Sequence, residues 1–242
     1  MSFHPDKCNV LTTHNKRTKI NYPYKLHNHK LQQVHTFKYL GLTLQSNLKW
    51  DSHTYINNIT ANANKTLGFL KRNLQINSQH IKEHTYKALI RPKLEYCSSV
   101  WDPHQHNQIN QIEKTQRRAA RYTTNRYHNT SSVQDMIDNL NWPTLQTRRT
   151  RTRLIVFYKI VHQHIAIDHS QILQRTDHRT RQAHPYTYRH ISATNDTYKY
   201  SFFPHTITQW NLLPVAAVQS TTLEVFKSHI QNVALDDLKS IL

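Results

Sequence analysis

The chain has 242 residues and carries 32 Lys and Arg against 14 Asp and Glu, a formal net charge of +18 with its 19 His neutral. Gly41 and Gly68 are its only glycines, so no window can build a Rossmann fingerprint or a Walker loop, each of which needs several glycines for the backbone to reach phosphate. Two cysteines, Cys8 and Cys97, without a Cys-x-x-Cys pair, exclude a disulfide scaffold and a four-cysteine zinc site. No apolar run nears the ~18 residues of a membrane span. The start, Met1 to Asp6, lacks the apolar core of a signal peptide. The expectation is a soluble, intracellular protein in a reducing compartment, with no membrane partner.

The first fifty residues read as strands. Lys7 to Leu11 is short and follows Pro5, and Phe37 to Leu44 has the aromatic and apolar content of a strand. Period two places Leu40, Leu42 and Leu44 on one face and Phe37 and Tyr39 on the other. The polar stretch between, Thr12 to His29, reads as a loop or ragged hairpin.

From Asp51 the period turns helical. Ile56, Ile59, Ala63, Leu67, Leu70 and Leu74 recur at three- and four-residue steps, with Asp51 or Ser52 as N-cap. A second helix runs from near Ser78 to Arg91, where Pro92 ends or kinks it. Ile109, Ile112, Gln116 and Ala119 mark a third, and Ser132-x-x-Asp135 opens a fourth over Val133, Met136, Ile137 and Leu140. Trp142-Pro143-Thr144 begins a long helix to about His164, with Leu145, Thr152, Ile155 and Val156 as core candidates. Asp168 to Tyr200 has no clear period. A short Thr206–Leu213 segment precedes a last helix opened by Thr221-x-x-Glu224, with Leu223, Phe226 and Ile230 inward. The fold expected is mainly α behind a small N-terminal β remnant. Its regions are 1–50, then 51–130 as a helical bundle, then 131–242 as a helical region with an irregular 168–205 segment.

The charge is uneven. Residues 1–50 carry 8 Lys/Arg against 1 acid and 105–167 carry 10 against 3, while 168–242 carry 7 against 6. Such basicity suits nucleic acid, where phosphate contacts release counterions and dominate affinity. Solvated basic faces without a partner are the bland alternative.

Several separated strings carry a resemblance. They are Phe3-His4-Pro5-Asp6-Lys7-Cys8-Asn9-Val10-Leu11, Phe37-Lys38-Tyr39-Leu40-Gly41, Asn64 to Leu74, Tyr86 to Pro103, Gln116-Arg117-Arg118-Ala119-Ala120-Arg121, and Tyr198 to Pro204 with Trp210-Asn211 and Leu213-Pro214. In this order the chain resembles the end of the palm, the thumb-like region and the tail of non-LTR (LINE-like) retrotransposon reverse transcriptases.

The resemblance implies a parent RNA-directed DNA polymerase whose aspartates, including a Tyr-x-Asp-Asp turn, hold Mg2+ ions. That turn would lie upstream of the first string, and Met1 stands where the family often has an internal hydrophobic residue. The chain itself is therefore expected to have no catalytic residue and no cofactor, and not to be an enzyme as it stands. Its Asp236-Asp237 reads as a solvated helix end. The partners implied are RNA and DNA as a primer–template duplex, with the upstream polymerase and endonuclease regions of the parent. The compartments implied are nucleus and cytoplasm.

By resemblance alone, Lys38, Tyr39, Leu40 and Gly41 match the primer grip, and Lys7 a basic position near the nucleotide site, here given phosphate affinity only. Lys65, Lys71 and Arg72 decorate the first helix. Arg117, Arg118 and Arg121, at i, i+1 and i+4, are expected to share one helix face opposite Ile109 and Ile112. Arg149 and Arg153, at i and i+4, are expected to reach consecutive phosphates. Tyr96, Trp101, Trp142 and Trp210 could stack on bases but read better as core. His80-Ile81-Lys82-Glu83-His84 fits a zinc-peptidase pattern, with Glu95 or Glu113 as a conceivable third ligand. Three other readings remain open: a stand-alone nucleic-acid-binding protein derived from such an element, a decayed reading frame, and a zinc-dependent hydrolase on His80, Glu83 and His84.

Overall fold

The structure is a computed structural model that describes residues 4–13, 22–48, 55–176, 184, 186–233 and 235. It is mainly helical, with small two-stranded sheets near the N-terminus. The chain divides into two compact units, 1–55 and 56–242. The N-cap candidates Asp51 and Ser52, and Asp236-Asp237, lie outside the described residues.

In the first unit a 3-10 turn, Pro5–Lys7, leads into β1 (Asn9–Val10), which pairs in parallel with β4 (Gln32–Gln33). The polar stretch before β4 holds a hairpin of β2 (Lys25–Leu26) and β3 (His29–Lys30), reversed at His27 and Asn28, both at positive φ. The run read as one strand is a second hairpin, β5 (Thr36–Tyr39) and β6 (Leu42–Gln45). Leu40 at φ 47° and Gly41 at φ 82° make its two-residue turn, a reversal that matches the strand twist and suits Gly at its second position. The reversal changes the facing. Phe37 pairs Leu44 and Tyr39 pairs Leu42, so these four share one face, and only Leu42 is buried. The expected opposition of Leu42 and Leu44 to Phe37 and Tyr39 is thereby corrected.

In the second unit α1 (Tyr55–Asn73) buries Ile56, Ala63, Leu67 and Leu70 along the anticipated stripe. The α2 helix (Gln79–Thr85) starts at Ser78, whose side chain accepts from the Ile81 amide. It passes through a π turn, Tyr86–Ile90, into α3 (Arg91–Glu95). Pro92 therefore does not end the helix. It lacks an N–H, and the wide turn before it, in which Arg91 N–H reaches Tyr86 O, absorbs the mismatch. Cys97 at φ 53° turns the chain into α4 (Ser98–Trp101), and α5 runs from His106 to Thr124.

Side-chain contacts set the helix directions. Gln111 donates to Asn57 and Thr60, Asn64 to Thr115, and Arg118 to Asn64. Numbers rise together, so α1 and α5 are parallel. Lys82 reaches Asn125 and Tyr86 reaches Gln116, so α2 with its π turn runs back antiparallel to α5. Lys93 Nζ, from α3, meets Thr66 of α1 at 2.6 Å.

The α6 helix (Val133–Asn139) is capped by Ser132, as its sequence box implies. The α7 helix (Leu145–Val161), capped by Thr144, buries Leu145, Leu154, Phe157, Tyr158 and Ile160. Thr152 is exposed and Ile155 and Val156 are half-buried, so the expected core phase is corrected. The second half of α7 packs in a cluster with Tyr188, Ile207, Trp210, Val218, Phe226 and Ile230. These come from the stretch after 168 and from α9 (Phe202–Trp210), α10 (Val215–Val218) and α11 (Leu223–Asn232), which follow the short α8 (Asp196–Lys199). The α9 helix begins earlier than its sequence suggests, and Thr222 rather than Thr221 caps α11. Asn211 clamps the irregular stretch by exchanging two hydrogen bonds with the Tyr188 backbone.

Candidate nucleic-acid interface

The parallel pair α1 and α5 carries the cations. No acid occurs from 52 to 82, and Glu113 is the only acid within α5. Lys65, Lys71 and Arg72 are exposed on α1 and Arg118 on α5. Arg118 Nη1 donates to Asn64 Oδ1 at 3.1 Å, which turns its guanidinium toward α1. Partial burial, then the charge of Arg118, holds the Lys71 ammonium below its ordinary range. Lys71 thus feels the charge of Arg118 with no carboxylate paired to it among the described residues, its ammonium resting over the Tyr127 ring instead. Part of this charge also offsets the helix C-terminal dipoles, where Lys71, Arg72 and Arg121 fall.

The three α5 arginines do not share one face. Adjacent residues stand about 100° apart on a helix, and α5 is enclosed by neighbours on several sides. Arg118 faces α1, Arg121 is half-buried, and Arg117 lines a groove of about 550 Å3 with Glu113, Asp138, Trp142 and Arg151. The two acids give that groove mixed charge.

Arg149 and Arg153 do not reach a surface. They are 0% and 2% exposed. Arg149 Nε donates to Asp102 Oδ1 at 2.8 Å, Arg153 donates to Asp102 Oδ2, and Arg153 also meets Gln209. Burial raises the Asp102 carboxyl, but Arg153 and Arg149 outweigh it and the net position lies below the ordinary range. Burial, with Arg153 alongside, pushes His205 down to about 3, so this imidazole is neutral at physiological pH. Their i, i+4 spacing is real, but it faces a carboxylate and not phosphate. Arg148 likewise pairs with Glu95.

The β unit holds the remaining candidates. Lys7 is exposed at the end of its 3-10 turn, and Lys38, Tyr39, Leu40 and Gly41 form the exposed end of the β5–β6 hairpin. Leu40 is 74% exposed at positive φ, a costly backbone state for a side chain with Cβ.

Trp101, Trp142 and Trp210 are core, whereas Tyr96 is half exposed. The zinc-peptidase pattern resolves into packing contacts. Glu83 accepts from the Trp142 indole at 3.1 Å and pairs with Lys87. Burial raises its carboxyl, but these hydrogen bonds outweigh that and hold it low, which is unlike a general base. His80 and His84 rings lie 4.2 Å apart. Glu95 is taken by Arg148, and Glu113 accepts from the Gln146 amide. Among the described residues no group of three or more His, Cys, Asp or Glu could hold a metal ion, and no helix is long and apolar enough to cross a membrane.

Three residues that the sequence did not single out join the candidate surface. Lys93 is brought to α1 by its bond to Thr66. Arg126 and Tyr127 follow the C-terminus of α5, with Lys71 Nζ 5.4 Å from the Tyr127 ring centroid. The absence of acids between 113 and 135 was the available signal.

No family model matches the chain, and neither the curated proteins nor the solved structures contain a match.

Proposed function

We propose that this chain is the C-terminal part of a non-LTR retrotransposon reverse transcriptase and that it binds RNA or DNA duplex without reading sequence. The observation that carries the binding is the acid-free face of α1 with the adjoining Arg118 of α5. Lys65 and Arg72, seven positions apart, share one side of α1, Lys71 stands about 100° round from Arg72 toward α5, and Lys71 and Arg118 repel each other without a carboxylate between them. A phosphate backbone would relieve that repulsion, and such contacts position a duplex without specifying bases. The polymerase parentage rests on the resemblance of the separated strings. In that reading the β5–β6 hairpin end would face the primer, and catalysis with Mg2+ would belong to upstream residues of the parent.

The test is a salt titration of the full chain on a blunt RNA–DNA hybrid. Four phosphate contacts lower affinity about a hundredfold between 50 and 200 mM salt. The double variant Lys65→Ala/Arg72→Ala flattens the logarithmic slope by about two. A salt-independent interaction, or none at 50 mM, overturns the binding.

A further inference from the structure

Where α1 and α5 end together, the surface changes character. Asn125 at φ 55° stops α5 and turns the chain, so that Tyr127 lies under Lys71, the penultimate cation of α1. Tyr127 remains 52% exposed. Among the described residues no other aromatic ring stacks on it. Arg126 and His128 flank it, Arg118 stands close enough to perturb Lys71, and no acid occurs from 114 to 134.

A duplex explains the cations but not the ring. Base pairs within a duplex are covered on both faces and only the end pair offers one, whereas each base of a single strand can be unstacked and covered by an aromatic side chain whatever its sequence. An exposed tyrosine among uncompensated cations matches that pairing of stacking platform and phosphate-attracting surface.

We infer that the shared end of α1 and α5 takes an unpaired nucleotide, its base stacked on Tyr127 and its phosphates against Lys71, Arg72 and Arg118. This rests on the duplex-binding reading above and extends it to a duplex that continues into a single strand. The rest of the cationic face holds the paired part.

The experiment compares the full chain on two labelled RNA–DNA hybrids of equal paired length at one salt concentration, one blunt and one with an oligothymidine overhang, by fluorescence anisotropy. The overhang is expected to tighten binding about five- to hundredfold. Tyr127→Ala removes that gain, Tyr127→Phe keeps it because the π-face survives, and Tyr127→Leu, which keeps apolar bulk, does not. Lys65→Ala lowers both affinities and leaves their ratio near the parent value. Equal binding of the two hybrids, or an overhang gain that survives Tyr127→Ala, overturns the inference while leaving duplex binding standing. No binding of either hybrid at 50 mM salt overturns the duplex reading and this one with it.

Discussion

Asp102 accepts a hydrogen bond from Arg149 at 2.8 Å where both side chains are almost fully enclosed, joining the end of α4 to the buried flank of α7. Arg153 takes the other carboxylate oxygen, so one anion compensates two buried guanidinium groups. Removing a partner from such a cluster leaves charge without compensation, which costs far more than the pair contributes over apolar replacements. Asp102→Asn is therefore expected to destabilise the helical unit by about 3–5 kcal/mol. Thermal unfolding by circular dichroism would show a fall of roughly 10 °C. A shift within a degree would contradict the buried triad.

The same carboxylate sets an acid limit. Its folded-state pKa is depressed, so its contribution is fully present above the unfolded value of about 4 and drains away as pH falls through the lowered folded value. The parent chain should lose stability below pH 4 more steeply than Asp102→Asn does. Denaturant midpoints measured from pH 6 downward check this, and parallel curves would refute it.

Lys71 should trade stability against binding. Its ammonium is disfavoured by partial burial and by Arg118, and its folded pKa is lowered. The full penalty is present at neutral pH and is relieved only as pH rises through the folded value toward the unfolded one, about 10.4. Lys71→Met is thus expected to stabilise the fold slightly, by less than about 1 kcal/mol given solvent screening. The same change should flatten the salt dependence of duplex binding by about one unit. Unfolding curves and salt titrations of one preparation give both readings.

Arg149 and Lys65 should separate cleanly. Arg149→Met is expected to lower thermal stability while leaving the salt slope of binding as it was, since its guanidinium is enclosed. Lys65→Ala is expected to do the reverse. A lowered slope in well-folded Arg149→Met would return Arg149 to the interface.

The hairpin end offers a stabilising change. Leu40 occupies a left-handed turn position that Asn tolerates better, and Leu40→Asn should slow amide exchange across β5 and β6, with a gain of about 0.5–1 kcal/mol. Unchanged exchange would mean that the turn is not under strain.

Much of the helical architecture could be read from spacing alone. The α1 stripe, the α5 stripe and the Ser132 cap depend on residues within a few positions of each other. What stayed hidden depends on partners far along the chain. Arg149 and Arg153 look like surface residues because Asp102, which neutralises them, is remote in sequence, and placing them outward gives α7 the wrong phase. The chain reversal at Leu40 and Gly41 inverted one strand face, because leucine gives no turn signal. On the candidate surface, Lys65, Lys71, Arg72 and Arg118 were legible as an excess of charge. Tyr127 was not, since only the parallel alignment of α1 and α5 brings it to Lys71.

That alignment has a kinetic corollary. Two parallel helices cannot close on each other as a hairpin, so the chain must first lay down the return segment from Gln79 to Glu95 between them. The search for native contacts is therefore gated by a non-local step. Changes at Tyr86 or Gln116, whose side chains join that segment to α5, should fall mainly on the rate of folding. Changes along the cationic rim should fall on the rate of unfolding. The surface that would meet nucleic acid is thus expected to assemble late and to be released early, and folding and unfolding rates of Gln116→Ala and Lys65→Ala check this.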